Sequence, residues 1–442
     1  MNARFLLLFL LVLLSFIAVS CKKTDEPTPE DANFSVEIPD AAFEQALIDL
    51  KIDTKKDGKV LFSSAQRVTS LNLYNKGISS LEGLKSFSHI TSLDCSRNNL
   101  TSIDLSNNTA LTTLECNSNS LIILNISKLT ALNRLGCSEN ELTGLDISNN
   151  TKLTHLDCSA NNLTSLNVTK NTSLTLVYSN ANKLTSLDVS KNVALNFLAC
   201  ANNNLTGLAL QTNTQLIYLD CKNANLTSLD LSKNLVLTEL YCSANNFTSL
   251  DLSKNKILTH LACSASQLPR LDISRNTALT HLYCDNNYLT TLDISRNTAL
   301  QELDCKNNNV DSLSLSKNIA LAKLVCSSNN LINLDLSKNV ALSVLNCGGN
   351  KLANLDLSKN IKLTNLYCSS NKLTSLDVGK NTVLTELYCS NTNLTSLDLR
   401  KNPLLQWLSC NNTSIQFICV ADLTNVRPTW LKDDSATYQI CQ

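Results

Sequence analysis

The chain has 442 residues, of which 43% are hydrophobic and 17% charged, and its 37 basic residues balance its 37 acidic residues. No broad electrostatic field is therefore available to attract nucleic acid or acidic lipid, and we expect no nucleic-acid binding. Nine glycines and four histidines leave little material for a phosphate-cradling loop or a histidine-based catalytic site.

The first twenty residues have the pattern of a secretory signal. Arg4 precedes an apolar run from Phe5 to Val19, which is too short to span a membrane. The small residues before Cys21 resemble the lipobox of bacterial lipoproteins, in particular those of Bacteroidetes-type bacteria, and this implies acylation of that cysteine. We predict a signal peptide over residues 1–20 and lipidation at Cys21. Ordinary secretion with an unmodified cysteine is the alternative.

Residues 21–33 are polar and include Pro27 and Pro29, so they bury too little apolar surface to fold alone. We predict a disordered tether between the lipid and the folded domain. The charged cluster from Lys22 to Glu26 loosely resembles the signal that exports some lipoproteins to the cell surface. We therefore expect an outer-membrane lipoprotein that is exposed at the surface and touches the membrane only through its lipid.

Residues 34–67 are predicted to form a helical N-terminal cap. Pro39 and Asp40 offer a helix start before an amphipathic stripe that begins at Ala42. The following segment, from Asp53 to Val60, resembles the calcium loop of EF-hands. Lys55 occupies a usual ligand position and Ser64 replaces the final acid, so we favour a turn without metal and expect no cofactor.

Cysteine then recurs every 21 residues from Cys95 to Cys410, with Ser179 filling the single gap. Each unit contains the pattern L-x-x-L-x-(C or L/I/V)-x-x-N twice, in pieces of ten and eleven residues. A fixed period of this length is typical of a stacked array. The pattern resembles the nested class of bacterial leucine-rich repeats over about Val68 to Asn411, and the opening turn resembles an internalin-type repeat.

This repeat predicts a mostly β solenoid over residues 68–411. A period of two in x-L-x-C-x sends Leu and Cys inward, and stacking turns at about 4.8 Å makes their thin layers continuous. We expect about sixteen turns with short parallel strands and little helix. A second short strand per turn is expected on the opposite face, and the resemblance implies a right-handed coil or arc.

Residues 412–442 break the period and are predicted to form an irregular C-terminal cap. Pro428 and Trp430 are foreign to the repeat, and Cys419 and Cys441 lie outside the cysteine column. Because the chain is expected to be exported and these two cysteines can pair with each other, we predict a disulfide between them.

Two regular columns could carry chemistry, and for both we favour a structural role. The cysteine column lacks paired C-x-x-C and interleaved histidines, so its thiols are expected to be buried small hydrophobes rather than a metal or redox site. An aspartate column could bind calcium, but Lys or Arg follows three residues later in most turns, as in Asp272 with Arg275. The repeat asparagines are expected to form structural ladders. We predict no enzyme activity.

Divergence between repeats is concentrated at the two outward positions around the inward Leu of each strand. On stacked parallel turns these positions share one face, and exposed aromatic residues there are typical of recognition surfaces. Cross-strand stacking that merely stabilises the face is the alternative. The predicted partner-binding residues are Tyr178, Phe197, Tyr218, Tyr241, His260, His281, Tyr283, Tyr367, Tyr388 and Trp407.

We therefore expect a lipid-anchored binding protein that recognises a protein partner through this strand face. The internalin-like resemblance implies adhesion or contact with a host or neighbouring cell. A glycan or cell-wall ligand remains the rival, because aromatic platforms suit sugars equally well, and a structural spacer without ligand is the third possibility. We expect a monomer.

Overall fold

A computed structural model of the protein describes residues 34–441. The predicted signal peptide, the tether and Cys21 lie outside the described residues. No helix within residues 34–441 is long and apolar enough to cross a membrane.

The described chain begins with a small cap on the first turn of the solenoid. Strand β1 (Ser35–Glu37) pairs antiparallel with β2 (Lys59–Leu61), and helices α1 (Ala41–Asp49) and α2 (Phe62–Ala65) complete the cap. Asp40 directly precedes α1 and accepts hydrogen bonds at both of its carboxylate oxygens. Its Oδ1 accepts the N–H groups of Ala42 and Phe43, which caps α1. Its Oδ2 accepts two N–H groups of the first turn, from Ser79 and Ser80, and so joins cap and solenoid.

Short strands then recur once per turn. They are β3 (Ser70–Asn72), β4 (Ser92–Asp94), β5 (Thr113–Glu115), β6 (Arg134–Gly136), β7 (His155–Asp157), β8 (Leu176–Tyr178), β9 (Phe197–Ala199), β10 (Tyr218–Asp220), β11 (Glu239–Tyr241), β12 (His260–Ala262), β13 (His281–Tyr283), β14 (Glu302–Asp304), β15 (Lys323–Val325), β16 (Val344–Asn346), β17 (Asn365–Tyr367), β18 (Glu386–Tyr388), β20 (Trp407–Cys410) and β22 (Trp430–Lys432). Three further strands near the C-terminus are β19 (Ser396–Asp398), β21 (Phe417–Val420) and β23 (Thr437–Ile440). Two 3₁₀ turns cover Leu84–Ser86 and Leu423–Asn425.

Each of these 18 once-per-turn strands except the last, β22, pairs in parallel with the strand one turn later, so that Leu261 lies beside Leu282 and His260 beside His281. The pairings run from β3 to β22, which are the two edges of one long sheet. The mostly β solenoid with little helix is thereby confirmed. The turn count is slightly above the sixteen expected, partly because the sheet continues into the segment predicted as a cap.

The core follows the alternation of inward and outward side chains along each strand. The central Leu and the Cys after the strand are fully buried, as at Leu282 and Cys284, and so is Ser179 in the gap of the cysteine column. Leucines of the second half-repeat fill the other side of the layer, as at Leu289. Each turn thus adds one thin apolar layer to a continuous core.

The expected second strand in every turn is wrong for most of the solenoid. Within residues 34–441 the second half-repeat forms a paired strand only near the C-terminus, where β19, β21 and β23 make a small parallel sheet. In the other turns a side chain takes over part of the hydrogen bonding that a strand ladder would supply. In one such turn, Asp272 Oδ1 accepts the N–H of Ser274 at 2.9 Å, which bends the chain locally.

The C-terminal segment, which was expected to be irregular, instead continues both sheets. Strand β22 extends the long sheet next to β20, and β23 extends the small sheet next to β21. Cys419 on β21 and Cys441 just beyond β23 are joined by a disulfide with a Cα–Cα distance of 5.4 Å. The disulfide therefore links the two outermost layers of the small sheet.

Candidate binding face

The long sheet presents two columns of partly exposed side chains, which together we call the strand face. The first column holds the residue before the buried Leu of each strand, and the second column holds the residue after it. In β13 these positions are His281 and Tyr283, with Leu282 buried between them. Because consecutive strands pair without slippage, each column stays continuous from turn to turn.

Four aromatic rings form a contiguous cluster on strands β8 to β11. Ring centroids of Tyr178 and Phe197 lie 4.6 Å apart, those of Phe197 and Tyr218 4.0 Å apart with nearly parallel planes, and those of Tyr218 and Tyr241 5.4 Å apart. Ala199, among these rings in the second column, is only 3% exposed. Phe197 and Tyr218 therefore cover one face of each other's ring, and the contacts of Tyr178 and Tyr241 with this pair are tilted.

Two histidines follow the cluster on the next two strands. The rings of His260 and His281 stack at 4.3 Å with an interplanar angle of 10°, and the Tyr283 ring lies 6.5 Å from His281. Burial, and after it the neighbouring His260, lowers the pKa of His281. The His281 ring is therefore neutral at pH 7.

The remaining predicted residues lie apart from these two groups. Tyr367 and Tyr388 stack on each other at 5.1 Å, and Trp407 is 47% exposed two strands further along the sheet than Tyr367. Strands β14 to β16, which carry Glu302, Lys323 and Val344 in the first column, separate this end from Tyr283. The structure thus divides the predicted strip into separate patches.

Glutamates of the first column hold the tyrosine hydroxyls. Tyr241 donates to Glu239 at 3.0 Å, Tyr283 donates to Glu302 at 3.0 Å, and Tyr367 donates to Glu386. Burial, and then these carboxylates, raise the pKa of Tyr241 and of Tyr283 to about 12. The phenols are therefore protonated and fixed in place. Sequence reasoning missed these glutamates, although their recurrence next to tyrosine on the same or a neighbouring strand was a usable signal.

Threonine hydroxyls fix the tautomer of the two stacked histidines. Thr259 Oγ1 donates its only proton to the carbonyl of Thr238 at 3.0 Å, and it also lies 2.9 Å from His260 Nδ1. The imidazole must then be the donor in the second contact, which leaves Nε2 as an acceptor. Thr280 and His281 repeat this arrangement. Since the hydroxyl proton already goes to a carbonyl, these Thr–His contacts are not arranged as a nucleophile with its base.

A ridge of exposed aliphatic side chains on the edge of the solenoid was also missed. It lies just after the buried Asn of the second half-repeat, where seven of the fourteen turns with this Asn carry Thr. Val193, Leu235, Ile319, Val340 and Ile361 occupy this position and are each more than half exposed. The signal in the sequence is divergence from Thr to Val, Leu or Ile at this one repeat position.

The cysteine column lies in the core, and its fifteen thiols are free and buried. Burial raises the pKa of each of these thiols, for example to about 12 for Cys263 and Cys347. Such thiols are protonated and shielded at neutral pH, which is typical of packing residues.

The side chains of the aspartate column cap turns. Within the part of the chain that the structure describes, they do not form contact ion pairs with the Lys or Arg three residues later. The N–H and hydroxyl of Ser274 lower the pKa of Asp272, and Arg275 contributes less. Along this column, contact ion pairs in residues 34–441 join Asp104 to Lys85 and Asp398 to Arg400, neither of them three residues later. The Lys or Arg three residues later therefore compensates the aspartate charge at longer range, as Arg275 does for Asp272, and not through a contact ion pair among the described residues.

The predicted turn after α1 is held by two carboxylates. Asp53 Oδ1 accepts the N–H of Thr54 at 2.7 Å, and the buried Glu44 accepts the N–H of Gly58. Across the described part of the chain, no three His, Cys, Asp or Glu residues are grouped so that they could hold a metal ion.

No protein-family model matches the chain, and no curated protein matches it in sequence. Solved structures do match. The functional domain of InlJ from Listeria monocytogenes, which includes a cysteine ladder, is 33% identical, and the match covers 88% of this chain and 82% of that domain with a TM-score of 0.72. An internalin of the same organism, InlF, is 21% identical over 75% of this chain and 99% of its own, with a TM-score of 0.65. A leucine-rich-repeat protein of Leptospira interrogans is 21% identical over 80% of this chain and 92% of its own, with a TM-score of 0.67. The last two matches show the fold alone.

Proposed function

Because the chain belongs to the internalin-like leucine-rich-repeat proteins, we propose that it binds a protein partner through the strand face, in adhesion or in contact with a host or neighbouring cell. The aromatic cluster on β8 to β11 carries this proposal. Its rings are held rigidly and remain partly exposed on one continuous face. Rigid aromatic side chains supply contact area at a small cost in conformational entropy.

Ring orientation favours a protein over a glycan as the partner. A sugar stacks on an open aromatic face, whereas Phe197 and Tyr218 turn their faces toward each other with an interplanar angle of only 4°. The ring edges that remain suit contacts with aliphatic and carbonyl groups of a polypeptide. The glycan alternative therefore depends on rings outside this cluster, such as Trp407.

The test compares capture by two triple variants of residues 22–442. One variant replaces Phe197, Tyr218 and Tyr241 by Ala on the strand face. The control replaces Tyr288, Ile319 and Ile332 by Ala, which are at least 60% exposed and lie off the strand face. Each immobilised protein is incubated with bacterial envelope extract and host-cell extract, and the bound proteins are identified by mass spectrometry.

The face variant should lose the captured partner while the control and the parent chain retain it, with circular dichroism alike for all three. Equal capture by the face variant would refute binding through the aromatic cluster. Retention of the parent chain on soluble polysaccharide, with no protein fraction bound, would favour the glycan alternative. Absence of any ligand in both assays would favour a structural spacer.

We also propose that Cys21 becomes an acylated N-terminus that anchors the protein in the outer membrane, with the solenoid at the cell surface. The support is the apolar run before Cys21 and the polar segment after it. Replacing Cys21 by Ser should release the protein from the membrane fraction, and the parent chain should incorporate a labelled fatty acid. A parent chain that takes up no label would contradict lipidation.

A further inference from the structure

A gap opens on the strand face over Ala262. The second column reads Tyr241, Ala262 and Tyr283 on three consecutive strands, so the two tyrosines stand two strand spacings apart, about 10 Å. The Tyr241 ring packs against Tyr218 on the preceding strand, and the Tyr283 hydroxyl reaches Glu302 on the following strand. The two tyrosine side chains are thus held in place on either side of Ala262. Ala262 stays partly exposed, in contrast to Ala199, which is buried among contacting rings.

Hydrogen-bond acceptors border this gap. The first column reads Glu239, His260, His281 and Glu302 on four consecutive strands. Both imidazoles hold their proton on Nδ1 against a threonine hydroxyl, so both Nε2 atoms can only accept. The two carboxylates accept from the tyrosine hydroxyls and have lone pairs to spare. We call the gap with these six bordering side chains the Ala262 slot.

The electrostatics of the Ala262 slot favour a cation. Glu239 and Glu302 bring two negative charges, and the Tyr241 and Tyr283 rings bring electron-rich faces. Lys323 on the next strand lies 3.4 Å from Glu302 and offsets part of one charge. Acceptors, negative charge and aromatic faces are thus combined on the four strands around Ala262.

We propose that the Ala262 slot binds a basic side chain of the protein partner, preferentially arginine. This inference rests on the proposed function and specifies the chemistry of the partner. A guanidinium is planar, carries five N–H donors, stacks on tyrosine and is held well by carboxylates. Lysine would fill the same space with one compact charge and without the planar stacking.

A metal ion fits this arrangement less well, although histidine and glutamate are common ligands. The imidazoles of His260 and His281 are nearly parallel, so the lone pairs of their Nε2 atoms point in the same direction and do not converge on one point. A guanidinium needs no convergence, because its N–H groups diverge from a plane and can meet parallel acceptors one by one.

Acid should weaken arginine binding at this slot. Protonation of His281 removes its Nε2 acceptor and adds positive charge beside the bound guanidinium. The charged or titratable groups that face the pair of His260 and His281 are Glu239 and Tyr241 on β11, Tyr283 on β13, Glu302 on β14 and Lys323 on β15. The pKa of His281 lies below its ordinary value, so the neutral ring that can accept predominates at pH 7.5.

The chain carries its own control for a direct test. It has four histidines, and His155 occupies the first column with the same type of contact, its Nδ1 lying 2.7 Å from Thr154 Oγ1. Its neighbours in that column are Arg134 and Leu176 instead of glutamates. An arginine-binding slot should therefore affect His260 and His281 and spare His155.

The experiment is a titration of histidine-labelled chain, residues 22–442, with the capped tripeptide acetyl-Gly-Arg-Gly-amide, followed by ring carbon–proton NMR at pH 7.5 in the presence of a chelator. Resonances of His260 and His281 should shift saturably, and His155 should not move. The matched tripeptide with citrulline, which has nearly the same shape without the charge, should cause no shift. At pH 5.5 the affinity for the arginine tripeptide should be lower than at pH 7.5, because a larger fraction of His281 is protonated.

Two substitutions at equivalent positions of the second column sharpen the test. Ala262→Leu fills the gap and should abolish the arginine shifts, whereas Val325→Leu on β15 should leave them unchanged. Equal shifts with citrulline, equal shifts of His155, or full binding by Ala262→Leu would each overturn the slot. Failure of the slot can be distinguished from failure of the proposed function. A partner captured by the aromatic cluster without arginine shifts refutes the slot alone, and arginine shifts without any captured protein refute the proposed function.

Discussion

Two columns of buried asparagine look alike in the sequence and differ in their bonding. Asn287 in the first half-repeat donates to the carbonyls of Cys263 and Cys284, and its Oδ1 accepts the N–H of Leu268 at 2.9 Å. Asn297 in the second half-repeat also donates to two carbonyls, but its Oδ1 is buried without a hydrogen-bond partner among the described atoms. The same residue type therefore contributes more to stability in the first column than in the second.

Asn287→Ala should destabilise the protein by about 3 kcal/mol and Asn297→Ala by about half as much. The first substitution leaves two buried N–H groups, those of Ser266 and Leu268, and one carbonyl without a partner. The second removes two hydrogen bonds, but both carbonyls still accept a backbone N–H, and it also removes a buried oxygen that had no partner. Urea unfolding followed by circular dichroism measures the difference, with the exposed Asn309→Ala as a control close to the parent chain. A larger loss for Asn297→Ala would contradict this ranking.

Residue roles could be predicted from the sequence where the repeat constrains them. Cysteine and asparagine recur at fixed positions, so their burial and ladder function follow from periodicity and backbone accounting. The glutamates that hold Tyr241 and Tyr283 could not be assigned in this way, because one lies on the same strand and the other on the next. The direction in which a side chain points on a strand face depends on its neighbouring side chains. A repeat pattern does not determine that direction.

At the scale of elements, the cysteine ladder should make the solenoid sensitive to alkali. The fifteen buried thiols have pKa values raised by burial, for example to about 12 at Cys305, whereas thiols in an unfolded chain ionise near pH 9. Above that pH the unfolded state loses protons that the folded state retains. Each thiol then lowers the free energy of unfolding by about 1.4 kcal/mol per pH unit until its folded pKa is reached.

Urea midpoints measured between about pH 8 and pH 11 should therefore fall steeply above pH 9. The triple variant Cys263→Ala, Cys284→Ala and Cys305→Ala removes three of the fifteen thiols, so its slope should be about one fifth smaller. Its stability near pH 8 will be lower because of the cavities, and only the slope is diagnostic. Identical slopes for the variant and the parent chain would show that the ladder does not control the alkaline response.

The strand in x-L-x-C-x could be predicted, whereas the supposed strand in the second half-repeat could not be excluded from sequence. Both halves contain Leu-x-Leu or Leu-x-Cys, and both alternate inward and outward side chains. What separates them is whether neighbouring turns exchange backbone hydrogen bonds, as Leu261 and Leu282 do through β12 and β13. Whether these hydrogen bonds form depends on the distance between neighbouring turns on each face. The sequence of a single repeat does not specify that distance.

On the scale of the whole molecule, the solenoid is a one-dimensional stack in which each turn contacts its neighbours. Its stability is then close to a sum over turns and interfaces, and the ends are the weakest places. The N-terminal end is closed by α1 and the bonds of Asp40 to the first turn. At the C-terminal end of the described residues, β22 and β23 are the last strands of their sheets, and the Cys419–Cys441 disulfide joins β21 to the segment just after β23.

Removing that disulfide by Cys441→Ser should therefore loosen the C-terminal turns selectively. The bond spans 22 residues, and closing a loop of this length is worth about 3 kcal/mol in the chain-entropy model. Hydrogen exchange should accelerate strongly in β21, β22 and β23, less in β18 and β20, and not in β4 to β6, because coupling passes only from turn to turn. Reduction of the parent chain should reproduce this pattern, and the variant should show no further change on reduction. Accelerated exchange throughout the solenoid would mean that the turns unfold as one cooperative unit.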